Sequence, residues 1–195
     1  MNARPDVMLA PATLPPREPA ASHPAVFHRF AAELKALGRP FPRALDLGSG
    51  RGELASHVLR EVPGLRLVTL DFSETPEASA RTRLARKEGR RTHVVRHLAN
   101  PGWADGLGRF DAVISHDTVH TLLRAHRPVA LYAQVRSLLL PGAVFLLADR
   151  CAGENDGASP CLTPDEQREA FDAAGWLSAD ILRNDHHTLY LKAHP

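Results

Sequence analysis

The sequence predicts an α/β fold: a doubly wound, mainly parallel seven-stranded sheet ending in an antiparallel C-terminal strand pair. Three observations carry that expectation. From Arg43 onward, short apolar runs alternate with helix-like segments, the pattern of a parallel sheet covered on both faces. The run Ala44, Leu45, Asp46, Leu47 leads into Gly48, Gly50 and Gly52 and then into the helix-like ELASHVLR, a strand, a glycine turn and a helix N-terminus in succession. The last two apolar runs, 176–183 and 187–193, leave no room for a helix between them, and the turn-prone Asn184–Asp185 makes them a hairpin.

Taken in order, residues 1–22 hold Pro5, Pro11, Pro15, Pro16 and Pro19 and are expected to form a disordered or loosely draped tail. The remaining residues, 23–195, are expected to form one domain. It begins with a lid helix over 23–37, capped by Ser22, with Val26, Phe27, Phe30, Leu34 and Leu37 on one face and Gly38 ending it. Strands are predicted at 43–47, 66–71, 92–96, 110–115 and 143–149, and helices at 53–61, 76–88, 128–139 and 164–174. Thr75–Pro76–Glu77 and Thr163–Pro164–Asp165–Glu166 mark two helix starts, the second as a capping box.

Composition narrows the function classes. The chain has 195 residues, 44% of them hydrophobic and 24% charged, which is enough for one ordinary globular domain. A net charge of +2 is too small to argue for nucleic acid. Arg81, Arg83, Arg86, Lys87, Arg90 and Arg91 form a basic run, but no aromatic residues interleave to stack bases, so a solvated face is the expectation. Cys151 and Cys161 lack zinc spacing. No apolar run is long enough to span a membrane and no signal-peptide pattern opens the chain, so a cytoplasmic location is expected.

The glycine turn is the most specific feature. Glycine there permits positive φ and close approach of a ligand to the main chain. A dinucleotide fold calls for GxGxxG, but Glu53 stands where its third glycine would fall. Asp46, Gly48, Gly50 and Gly52 match instead the acid-x-Gly-x-Gly-x-Gly motif. In this the chain resembles the class I S-adenosylmethionine-dependent methyltransferases. The order of elements from about residue 26 to 193 and the closing strand pair fit the same family.

Each candidate residue has a bland reading beside its functional one. Asp71, ending the second strand, suits hydrogen bonds to ribose hydroxyls, or it caps a turn with Ser73. Phe72 either covers an adenine face or belongs to the core. Asp46 in an apolar strand costs several kcal/mol unless paired. The resemblance puts it near the methionine end of the cofactor; the alternative is a structural acid bonded to loop amides. The amides around 48–52, with Ser49 among them, are expected to cradle the cofactor. Where the family often carries an adenine-binding acid, this chain has His97, which could accept through a neutral nitrogen, or the Leu98 backbone could serve. Ser115 and His116 end the fourth strand, where such sheets bind ligands. Asp117 and His120 follow, a helical turn apart if a helix begins there. His120 is the best candidate for taking or orienting an acceptor proton, with exposed histidine at a helix start as the alternative.

Other chemistries fit less well. His116 or Asp117 with Asp149 could hold a divalent cation, but Arg150 would repel it, so no metal is expected. The expected activity is transfer of a methyl group from S-adenosylmethionine to a small-molecule oxygen or nitrogen, with nucleic acid and membrane not expected as partners. The alternatives are a non-catalytic cofactor-binding module and methylation of RNA or protein.

Overall fold

The computed structural model describes residues 24–72, 80–121, 128–152, 161–185 and 188–195. Seven strands form one sheet in the order β3-β2-β1-β4-β5-β7-β6. They are β1 (Arg43–Leu47), β2 (Arg66–Asp71), β3 (Arg91–Val95), β4 (Phe110–His116), β5 (Leu139–Arg150), β6 (Ser178–Asp185) and β7 (Thr188–His194). β7 runs antiparallel to both β5 and β6, and the other pairings are parallel. The helices are α1 (Pro24–Ala36), α2 (Glu53–Glu61), α3 (Pro128–Ser137) and α4 (Pro164–Ala173).

Side chains alternate across the sheet with the period of a strand. Leu45, Leu47, Val113, Phe145 and Leu147 pack with Tyr132 of α3 and Phe171 of α4. Ala44, Ala112, Ile114, Leu146 and Ala148 pack with Phe27, Phe30 and Leu34 of α1 and Leu54, Val58 and Leu59 of α2. This double cover explains why β1, β2, β4 and β5 are apolar on both faces. Their buried polar exceptions are Asp46, Thr69, Asp71, Asp111, Ser115 and Asp149. Asp46 is 1% exposed and in register with Thr69 and Ile114.

Several expected boundaries shift for physical reasons. β5 begins at Leu139, before the expected 143, but its register jumps between Phe110↔Leu139 and Ala112↔Val144, and Gly142 at φ 74 turns the chain through that bulge. The expected helix 76–88 is helical over 80–84 and then tightens into a 3-10 turn, Ala85–Arg90. Its Thr75–Pro76 start lies outside the described residues, as do the tail 1–22 and Ser22. Asn184 and Asp185 belong to β6, and residues 186 and 187 lie outside the described residues.

The basic run is partly structural. Arg90 donates to the carbonyls of Leu59, Val62 and Pro63 at 2.7, 3.1 and 2.7 Å, capping the carboxyl end of α2. The capping box is present: the Thr163 hydroxyl accepts from the Glu166 amide, and the Glu166 carboxylate accepts from the Thr163 amide. Cys151 is buried and Cys161 partly so. Among the described residues no helix is long and apolar enough to cross a membrane.

Candidate active site

The site lies at the carboxyl ends of β1, β2, β4 and β5. The three glycines after β1 all take positive φ, 71° at Gly48, 48° at Gly50 and 74° at Gly52, but for different reasons. A Cβ on Gly48 would stand 2.1 Å from the Thr118 side chain, and one on Gly52 would stand 3.0 Å from Ala80 and Leu84. Gly50 alone faces open space, with nothing nearer than 4.0 Å.

Four of the loop's amides bond within the protein. Gly48 and Ser49 both donate to Leu70 O at 2.8 and 3.1 Å, Gly52 donates to Ser49 O at 2.9 Å, and Gly50 donates to Asp71 Oδ2 at 2.9 Å. These four donors are engaged inside the protein, because the loop folds back on the end of β2. Beside them, the side-chain atoms Asp46 Oδ2 and Ser49 Oγ are buried without a partner. An acceptor oxygen and a hydroxyl beside the open face of Gly50 fit the ammonium group and polar atoms of a methionine-bearing nucleoside.

Burial, and secondarily the nearby Asp71 carboxylate, push the Asp46 carboxyl up to about 7. An unfolded chain gives up that proton near its ordinary value, so Asp46 favours the folded protein at low pH, and that contribution is lost as pH rises through about 7. A cation docked on Asp46 reverses the effect by favouring the ionised form. Binding of S-adenosylhomocysteine is therefore expected to release close to one proton at about pH 6 and almost none at about pH 8. Calorimetry in buffers of different ionisation heat reads this directly; release independent of pH would remove Asp46 from the ligand.

On the β2–β3 side, Asp71 is buried and anchors Gly50, and Phe72 beside it is 67% exposed. The Phe72 ring lies 5.4 Å from the His97 ring, centroid to centroid. Both line a hollow of about 390 Å³ with Val95, Asn100 and Trp103. Ser73 lies outside the described residues. His97 Nδ1 accepts the Ala99 amide at 3.0 Å. A backbone N–H can only donate, so the neutral ring carries its proton on Nε2 and offers a donor to the hollow. In that tautomer the ring faces a ligand as a donor, whereas the sequence reading has it as an acceptor. Leu98 turns its partly buried side chain into the sheet core.

On the β4–β5 side, the buried Ser115 hydroxyl donates to Leu47 O at 3.1 Å, tying β4 to β1 rather than facing a ligand. His116 meets Phe27 of α1 edge-on at 5.0 Å. Asp117 has φ 49°, the sole positive value among described non-glycine residues, a conformation that costs roughly 1–3 kcal/mol. Its amide bonds Ala148 O at 2.9 Å, and its Oδ1 accepts Arg150 Nε at 2.9 Å. The Thr118 side chain then packs on Gly48, its hydroxyl sharing one proton between Gly48 O at 3.1 Å and His116 O at 3.0 Å, which sets this turn against the glycine loop.

His120 does lie near Asp117, but through a sharp turn and the 3-10 segment Val119–Thr121 rather than one α-helical turn. Its Nδ1 is 2.5 Å from Asp149 Oδ1 and 3.7 Å from Asp117 Oδ1. Asp149 is 2% exposed and fully engaged. Its Oδ2 accepts the amides of Thr118 and His120 at 3.2 and 3.1 Å, and its Oδ1 accepts the Arg150 amide at 2.7 Å as well as His120. Ligand atoms of Asp117, His120 and Asp149 lie within 4.8 Å of one another. A cation there would have to displace the Arg150 guanidinium and several of these donors. As built, the cluster is a carboxylate-oriented imidazole: with Nδ1 directed at Asp149, a neutral His120 leaves the Nε2 lone pair outward. Thr118 escaped the sequence reading, and Asp149 entered it only as a metal partner.

This sheet order, with a glycine turn after β1, an acid ending β2 and an antiparallel β7, defines the class I S-adenosylmethionine-dependent methyltransferase fold. Residues 45–145 match the family described as methyltransferase domain, and the chain belongs to that family. It is 31% identical over 145 residues to the tetracenomycin polyketide synthesis 8-O-methyl transferase TcmO of Streptomyces glaucescens, a match covering 69% of this chain and 42% of that protein. The structure superposes on an O-methyltransferase family protein from Burkholderia thailandensis with a TM-score of 0.70 at 20% identity, over 89% of this chain and 56% of that one. The glycopeptide N-methyltransferase MtfA, solved with S-adenosyl-L-homocysteine, gives 0.63 at 20% identity, over 85% and 86%. This chain thus spans about half the length of the first two.

Proposed function

We propose that this chain transfers a methyl group from S-adenosylmethionine to an oxygen or nitrogen of a small molecule. The observation that carries the reading is the junction at Thr118. Its side chain packs on Gly48 of the cofactor loop, with the hydroxyl 3.1 Å from Gly48 O, while the residues around it set His120 against Asp149. Cofactor loop and proton-accepting imidazole are therefore fixed to one another through a single turn.

Asp46 and Ser49 would meet the methionine end, Asp71 the ribose, and Phe72 with His97 Nε2–H the purine. When bound, the cofactor supplies an electrophilic methyl group on a sulfonium. The protein's remaining task is alignment, exclusion of water and removal of one proton from the acceptor. His120 takes that proton, and Asp149 fixes the ring and stabilises the imidazolium. The edge contact of Phe27 with His116 makes α1 the cover of the acceptor space. The small-molecule relatives support an acceptor of metabolite size.

Purified protein given S-adenosylmethionine and a metabolite extract is expected to produce S-adenosylhomocysteine together with a product heavier by one methylene unit. Tight cofactor binding with no turnover in any extract would favour a non-catalytic module instead.

A further inference from the structure

We propose that Arg150 selects an acceptor that carries a carboxylate beside the hydroxyl to be methylated. The inference rests on the reading of His120 as the group that faces the acceptor. Arg150 is the last residue of β5. Ala148, two residues earlier on the same strand face, packs in the layer formed by α1 and α2, so Arg150 leaves the sheet on the side that α1 covers.

Its position is fixed at two points. The backbone N–H donates to Asp149 Oδ1 at 2.7 Å, and Nε donates to Asp117 Oδ1 at 2.9 Å. The same Asp117 oxygen lies 3.7 Å from His120 Nδ1. One carboxylate oxygen thus sets the separation between guanidinium and imidazole. Nε accounts for one of the five guanidinium N–H groups, and no described residue engages the two terminal nitrogens. The side chain is 43% exposed, whereas that of Asp149 is 1% exposed, so the fork opens outward from an anchored base.

An ordinary surface arginine swings freely in water, and a metal site would need Asp117 unencumbered. Here neither holds. Asp149 is saturated and Asp117 already has its cation, so the remaining donor capacity of the cluster is the edge of the two terminal nitrogens. That planar edge matches the two oxygens of a carboxylate, and pinning Nε removes much of the entropic cost of aiming it. A hydroxyl ortho to a carboxylate would then come free of its internal hydrogen bond and lie toward His120 Nε2.

The test measures binding to the protein saturated with S-adenosylhomocysteine. Calorimetry compares 2-hydroxybenzoate with 2-hydroxybenzamide, which has the same shape without the charge, on the unaltered protein, Arg150→Lys and Arg150→Gln. The acid is expected to bind at least about tenfold more tightly than the amide. Arg150→Gln should abolish the difference, and Arg150→Lys should keep part of it as a point charge without the fork. Equal binding of acid and amide, no binding of either, or a preference that survives in Arg150→Gln overturns the proposal. If the unaltered protein does not bind S-adenosylhomocysteine, the methyltransferase reading itself fails; if it binds but shows no preference for the acid, only the role of Arg150 fails.

Discussion

Replacing His120 by glutamine is expected to lower turnover by roughly 10²- to 10⁴-fold while leaving affinity for S-adenosylhomocysteine within about twofold. The loss follows from the geometry. His120 Nδ1 is held 2.5 Å from a carboxylate that is itself buried and bonded on every side, so the ring has one orientation and one nitrogen left to work with. Glutamine keeps a polar group of similar reach but cannot accept a proton. Asp149→Asn should produce a smaller loss in turnover together with a less stable protein, since the neutral amide brings donors where four are already present. A purely structural His120 would behave differently: stability and cofactor affinity would fall together with turnover. The pH–rate profile separates the two, because the variant should lose the limb that rises as a base sheds its proton.

The second large effect belongs to Asp71. Asp71→Ala is expected to weaken binding of S-adenosylhomocysteine by about 10²-fold, the scale of losing charge-assisted hydrogen bonds to paired hydroxyls. The change acts in two ways. It would remove the proposed acceptor for ribose, and it frees the Gly50 amide that Asp71 Oδ2 holds at 2.9 Å. Asp71→Asn distinguishes them. Its side-chain oxygen still accepts from Gly50 but carries no charge, so an intermediate loss is expected if the ribose contact matters, and almost none if anchoring the loop is the whole role. Far-ultraviolet circular dichroism should be unchanged in both, since Asp71 is the last residue of β2 and the strand pairings before it remain. Unchanged affinity in Asp71→Ala would remove this residue from the site.

The fold was legible wherever local pattern decides structure. α2 occupies the expected residues because a glycine in left-handed conformation ends the strand turn directly before an amphipathic run. The hairpin of β6 and β7 follows from a chain segment too short for a crossover. The bulge at Leu139–Ala143 and the 3-10 end of the second helical region were not legible. They depend on how Phe110 pairs across the sheet and on Arg90 reaching the end of α2.

The site divides in the same way. Asp46, the glycines and Asp71 announce themselves by spacing along one stretch of chain. The pairing of His120 with Asp149 joins two segments far apart in sequence, and no local signal marks it. The hydroxyl of Thr118 on Gly48 O is likewise a product of packing between β1 and β4. The spent loop amides could not be read either, because the carbonyl of Leu70 that takes two of them belongs to the neighbouring strand.

Calorimetric titration of the purified chain with S-adenosylhomocysteine and, in parallel, with NAD tests the cofactor reading most directly. A saturable heat of one site per chain for S-adenosylhomocysteine and none for NAD is the expected result. Saturation by NAD, or a folded protein that takes up neither, would contradict it.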